Sequence, residues 1–145
     1  MTWTVRPSRP GDEDALADIY LAMRRATFLW VDPGSFHWED FAVHTKGERI
    51  FVCSGTDGTI AGFLSLWEPE DFIHMLYVRH DNQRQGVGTA LLQALPGWPE
   101  RRYRLKCLVK NVRAKNFYMS LGFQATGNGS SSEGEYEDLS LAAAP

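Results

Sequence analysis

The segment DFIHMLYVRHDNQRQGVGTALLQALP, Asp71 to Pro96, passes from a β-rich run through a polar loop and two glycines into an apolar stretch at helical spacing. Another β-rich run, RYRLKCLVK, follows at Arg102 to Lys110. Strand, glycine loop, helix and strand in that order form a crossover unit, which sets two strands parallel in one sheet and lays a helix on its face. The fold is therefore α/β.

The flanking sequence adds antiparallel pairs to that unit. Arg49 to Ser54 and Thr59 to Trp67 are β-rich and joined by Gly55-Thr56-Asp57-Gly58, a hairpin composition. A short strand is expected around Trp3 to Arg6. The acids Asp12, Glu13 and Asp14 suit a helix N-terminus, and Leu16, Ile19, Tyr20 and Met23 then repeat at helical spacing. FLWVDPGSFHWEDF, starting at Phe28, reads as an aromatic loop entering a second helix from about Ser35 to Thr45. VRAKNFYMSLG reads as a helix stopped by Gly122. A strand near Phe123 to Thr126, a Gly/Ser-rich turn from Gly127 to Gly134 and a last strand near Tyr136 to Leu141 complete a mixed sheet.

With 145 residues, 43% hydrophobic and 23% charged, the chain has the balance of one globular domain, expected to span 1–145. A formal charge of -3 lacks the basic excess that neutralises nucleic-acid phosphates, so no nucleic-acid partner is expected. No apolar run approaches a membrane span of about 20 residues, and MTWTVRPSRPGDED resembles neither a signal peptide nor a transit segment. No membrane partner and a cytoplasmic address are the resulting expectations. Cys53 and Cys107 lie within apolar strand-like runs and read as reduced, structural thiols. His37, His44, His74 and His80 form no H-E-x-x-H pairing and no C-x-x-C accompanies them, so no metal is expected. A G-x-S-x-G nucleophile turn is also missing from the sequence.

Gln83-Arg84-Gln85-Gly86-Val87-Gly88 stands between strand and helix, where free N–H groups at a helix start and the positive end of its dipole suit an anion. A glycine turn without a ligand is the other reading. The dinucleotide fingerprint G-x-G-x-x-G fails because Leu91 stands at the third position, and G-x-x-x-x-G-K-[ST] occurs nowhere.

The string from Gln83 to Gly88 resembles the pyrophosphate loop of the GNAT acyltransferases, Q/R-x-x-G-x-G/A. HMLYVRHDNQRQGVGTALL resembles that superfamily's fourth strand, loop and third helix. NVRAKNFYMSLGF is similar to its signature N-x-x-A-x-x-x-Y-x-x-x-G-F at Asn111, Ala114, Tyr118, Gly122 and Phe123. The resemblance is strong over about residues 71–124 and implies a mixed central sheet of six to seven strands flanked by about four helices, splayed at the fourth and fifth strands.

That resemblance also implies a chemistry, transfer of an acetyl group from acetyl-CoA to a primary amine of a small molecule or peptide by direct attack on the thioester. Main-chain groups of Leu76, Tyr77 and Val78 would meet the pantetheine and the thioester carbonyl. Arg84, Gln85, Gly86, Val87, Gly88 and Thr89 would hold the pyrophosphate, and Asn111 the arm beyond the splay. Tyr118 matches the tyrosine that protonates the departing thiolate. HMLYV resembles the strand carrying the second histidine of the arylalkylamine N-acetyltransferase branch, which makes His74 the candidate base, while Phe72 replaces the first. Glu68, Glu70 and Asp71 remain alternatives for binding or relaying protons from a cationic acceptor. In the branch that acetylates ribosomal-protein N-termini a glutamate lies five residues before the signature asparagine, whereas Lys106 stands here. Phe28, Trp30, Phe36 and Trp38, with Asp32 and His37, would wall an acceptor cleft suited to an apolar or aromatic amine. Alternatively these rings fill the core or form a homodimer contact. A non-catalytic acyl-CoA-binding regulatory module is the competing functional reading.

Overall fold

The computed structural model describes residues 2–142, so positions 1 and 143–145 of the expected domain lie outside the described residues. Its seven strands are β1 (Thr4–Pro7), β2 (Arg49–Ser54), β3 (Ile60–Trp67), β4 (Phe72–Val78), β5 (Arg104–Leu108), β6 (Phe123–Ser131) and β7 (Gly134–Leu141). Its helices are α1 (Glu13–Thr27), α2 (Asp40–His44), α3 (Val87–Gln93) and α4 (Val112–Ser120). One mixed sheet has the order β1-β2-β3-β4-β5-β7-β6. Every pairing is antiparallel except β4 with β5, the pair bridged by the crossover through α3.

β3, in the middle of the sheet, is buried on both faces, which explains why it reads as a nearly continuous apolar run rather than an alternation. On one face Leu16, Ile19, Tyr20 and Met23 of α1 and Phe41 of α2 cover Val52, Ile60, Phe63 and Met75. Full burial of a Leu, Ile or Met side chain contributes roughly 1.5–3 kcal/mol relative to exposure, so this apolar stripe anchors α1. On the other face Val87, Leu91 and Leu92 of α3 and Tyr118 of α4 pack with Phe51, Cys53, Leu64, Leu66, Ile73 and Leu105. Asp12 does more than begin α1. Its carboxylate accepts from the Arg6 guanidinium at 2.7 and 3.0 Å and from the Arg9 N–H at 2.7 Å, tying β1 to the helix start.

Two expected elements differ. The second helix shrinks to a 3-10 turn, Pro33–Ser35, and the single-turn α2, because Phe36 adopts an extended backbone that buries its ring. The Asp40 carboxylate then accepts from the His37 N–H at 2.9 Å. The Gly/Ser-rich segment after Thr126 is strand rather than turn: β6 continues to Ser131 and pairs with β7 throughout, around an irregularity between Ala125 and Gly127. Glycine at 129 reflects crowding, since a Cβ there would stand 2.5 Å from the Tyr136 hydroxyl oxygen opposite.

Gly62 holds α3 against the sheet. It pairs with Cys53 and Val78, and a Cβ at this position would meet the Tyr77 carbonyl oxygen at 2.7 Å and Val87 Cγ1 at 3.0 Å. The first contact is backbone and cannot move aside. Gly62→Ala is expected to cost about 1–3 kcal/mol of overpacking, read as a lower urea midpoint; an unchanged midpoint would show that α3 does not rest on this strand.

Candidate active site

β4 and β5 remain paired only at Phe72 with Arg104 and Ile73 with Leu105. Beyond those two pairs the strands part. β4 continues to Val78 and β5 to Leu108, and between them lies a cleft of about 340 Å³ whose walls include Met75, Leu76 and Tyr77 on one side and Cys107 and Leu108 on the other. A bulge contributes to the opening. Ser65 of β3 pairs with Met75 and Leu66 with Ile73, leaving His74 without a partner, and such an extra residue bends and twists its strand.

The glycine loop lies past the end of β4. Arg84 and Gly86 both take left-handed backbone conformations, φ 63° and 85°, and Gly86 caps the start of α3. Glycine suits that cap because it adopts positive φ without steric cost. The loop is held from outside the motif: the Trp3 indole donates to the Gln85 carbonyl at 2.7 Å, and the Gln83 amide is in contact with the Arg113 guanidinium at 3.4 Å. The N–H groups of the first helical turn, Val87 to Thr89, have no intrahelical acceptors by the geometry of a helix start. Gly88 has a different reason to lack a side chain, because a Cβ there would lie 3.0 Å from Phe117 Cζ of α4.

α4 brings the second motif to the cleft. Asn111 caps it, its side-chain oxygen accepting from the Ala114 N–H at 3.4 Å, and Asn111, Ala114 and Tyr118 all line the cleft. Tyr118 is buried against Phe117 and Phe123, with ring centroids 5.4 and 5.5 Å away. Burial pushes its phenol well above the ordinary tyrosine range, so it is a neutral proton carrier at physiological pH. Burial likewise raises the thiols of Cys53 and Cys107 to about 11.

Tyr20, Arg24, Phe28, His74, Lys106, Glu133 and Tyr136 also line the cleft. Burial raises the Tyr20 phenol to about 12, and its hydroxyl is 2.8 Å from His44 Nδ1. Arg24 is buried, bonds Asp40 at 2.9 Å and stacks over the Tyr20 ring at 3.8 Å. His74 Nδ1 lies 2.9 and 2.8 Å from the two carboxylate oxygens of Glu48. Trp30 packs on Phe28 and donates its indole N–H to the Glu133 carbonyl at 2.7 Å, strapping the β6–β7 turn to the segment after α1.

Phe28 is thus a wall residue and Trp30 its backing. Phe36 lies behind them, buried against Phe28 and the Arg24 guanidinium, and Trp38 bonds Asp18 of α1 at 2.8 Å, outside the cleft lining. Glu68, Glu70 and Asp71 face Arg49, Arg104 and Arg101 at 3.5, 3.8 and 3.6 Å near the start of β4, away from the opening. A second hollow of about 320 Å³ over β5 and β7, lined by Glu70, Arg104, Lys106 and Asp138 among others, contains neither the glycine loop nor Tyr118. The sequence alone did not single out Glu48, Arg24 or Glu133; each reaches the site through a contact distant along the chain.

Residues 14–123 match the model of the acetyltransferase (GNAT) family. No curated protein matches the chain. Among solved structures, the apo form of YjaB from Escherichia coli is 21% identical, with 99% of this chain and 100% of that chain covered at a TM-score of 0.79. A GCN5-related N-acetyltransferase from Rhodopseudomonas palustris is 22% identical over 98% of this chain and 96% of that one, with a TM-score of 0.80. An N-acetyltransferase from Staphylococcus aureus is 15% identical, covering 95% and 100% of the two chains at 0.76. At these identities the structural likeness establishes the fold.

With both thiols raised to about 11 by burial, neither supplies appreciable thiolate near neutrality. Native protein at pH 8 should leave both cysteines unmodified by a chromogenic disulfide reagent, and denaturant should release two reactive thiols per chain. Rapid reaction of one thiol in the folded protein would contradict this.

Proposed function

The chain belongs to the GNAT acetyltransferase family, and we propose that it transfers the acetyl group of acetyl-CoA, the family's donor, to a primary amine of a small molecule or peptide. The observation that carries this reading is the convergence of the glycine loop and α4 on one cleft where β4 and β5 part. Main-chain groups of Leu76, Tyr77 and Val78 on the free edge of β4 receive the pantetheine arm. Arg84, Gln85 and the α3 start from Gly86 to Thr89 receive the pyrophosphate through N–H groups and the positive helix end. Asn111 faces the arm from the opposite wall. These donors suit an elongated anionic ligand with amide groups along it.

The acceptor enters on the side of Tyr20, Phe28 and Trp30, where aromatic faces favour an amine with an apolar or aromatic body. An alkylammonium is protonated at neutral pH and must lose a proton before its lone pair can attack. His74 takes that proton. The amine nitrogen then bonds to the thioester carbonyl carbon, the carbon–sulfur bond breaks, and the Tyr118 phenol protonates the departing thiolate. Tyr118 recovers its proton from the amide nitrogen being formed, so the products are an acetamide, free CoA thiol and one proton delivered to solvent through His74. Burial keeps the phenol protonated until the thiolate forms beside it, and the proton returned from the amide nitrogen offsets the cost of giving it up.

CoA-thiol release measured over a broad panel of amines tests the assignment, with arylalkylamines expected among the better acceptors. Acetyl-CoA should raise the melting temperature, and Tyr118→Phe should lower kcat roughly 10²-fold or more while leaving that shift near wild type. A melting shift with no thiol release from any amine would favour an acyl-CoA-binding module, and full turnover in Tyr118→Phe would remove the proton-donor role. Trp30→Ala combined with Phe36→Ala should change the ranking of amines; an unchanged ranking would place these rings in the core alone.

A further inference from the structure

We propose that Glu48 is the positioning residue for His74: it holds the proton on Nδ1 and so leaves Nε2 as the basic nitrogen toward the acceptor. This rests on the reading of His74 as the base. Glu48 stands just before β2, where its N–H bonds the Thr45 carbonyl at 2.9 Å. Its side chain is only 8% exposed, whereas that of His74 is 38% exposed. Both carboxylate oxygens lie within 2.9 Å of Nδ1.

An ionised carboxylate only accepts hydrogen bonds, so Nδ1 must be the donor and carry a proton in either charge state of the ring. The neutral ring then has its lone pair on Nε2, the nitrogen that Glu48 does not engage. A carboxylate this deeply buried also requires a partner, which makes the pairing with His74 a lasting restraint rather than an occasional surface contact. The unpaired bulge position allows His74 to turn toward Glu48, two strands away in the sheet, while still lining the cleft. Phe72 occupies the place of the partner histidine found in the arylalkylamine branch, and its ring stands 6.5 Å from the imidazole without offering a proton acceptor. Here the partner of the imidazole is a carboxylate from the segment before β2, which orients the ring without taking its proton.

During turnover the acceptor ammonium gives a proton to Nε2, forming an imidazolium whose Nδ1–H remains bonded to the Glu48 carboxylate. The N–H bond of the acceptor breaks, the Nε2–H bond forms, and the exposed edge of the ring later releases that proton to water. Glu48 itself stays ionised, orienting the ring and stabilising its charge.

Nitrogen-15 NMR of His74 in the folded protein, at a pH where the imidazole is neutral, decides the assignment without needing an acceptor. The expected result is the Nδ1–H form in wild type and a shift toward Nε2–H, the form preferred by a free histidine side chain, in Glu48→Ala. Predominant Nε2–H in wild type, or the same tautomer in both proteins, would overturn it. With the best amine from the panel, Glu48→Ala and the isosteric Glu48→Gln should lower kcat about 10-fold, less than the roughly 10²–10⁴-fold loss of the general base itself, while the KM for acetyl-CoA is kept. An unchanged acetyl-CoA melting shift shows that the variants are folded. If the tautomer is as assigned but His74→Ala turns over like wild type, the base assignment fails and the Glu48 restraint stands as geometry alone.

Discussion

The short parallel seam between β4 and β5 governs this structure. Two residue pairs bind the left part of the sheet, β1 to β4, to the right part, β5, β7 and β6, and every ångström of strand beyond them is surrendered to the cleft. Backbone N–H and C=O groups that leave a sheet ladder need other partners, so an open seam is costly unless water or a ligand can reach it. The cost is confined by the elements around it. α1 and α3 clamp the left part from opposite faces, and the β5–β7–β6 ladder makes the right part rigid without help from β4. The opening is therefore a stable gap between two well-braced halves.

Each half contributes different chemistry. The left half brings the glycine loop, the free edge of β4 and the His74–Glu48 pair; the right half brings Asn111 and Tyr118 on α4, with Glu133 at the β6–β7 turn. The two motifs face each other only across the cleft between the halves. The Trp30 indole bond to the Glu133 carbonyl crosses that division beside Phe28, so the width of the cleft there is set by a hydrogen bond as well as by the seam.

Much of this was legible because it depended on local pattern. The α1 stripe of Leu16, Ile19, Tyr20 and Met23 is buried as its spacing requires, and the strand, glycine loop and helix around Gly86 stand where turn chemistry puts them. The misread parts were those where tertiary contact overrode composition. Gly127 to Ser131 has the makeup of a turn, but Asp138 and Tyr136 crowd its glycines across the ladder and hold it as strand. Phe36 and Trp38 belong to one aromatic run, yet burial of the first and the bond of the second to Asp18 send them to different places. Glu48 gave no signal, since its partner is 26 positions away and their meeting depends on a bulge that no composition announces.

Gly88 has a wider reach than a loop glycine usually has. The space it leaves is filled by the edge of the Phe117 ring, immediately before Tyr118 on α4. A methyl group added at 88 would press on the Phe117 ring, so the close approach of α3 and α4 depends on the missing side chain. The two motifs that drew attention in the sequence are therefore mechanically geared to each other.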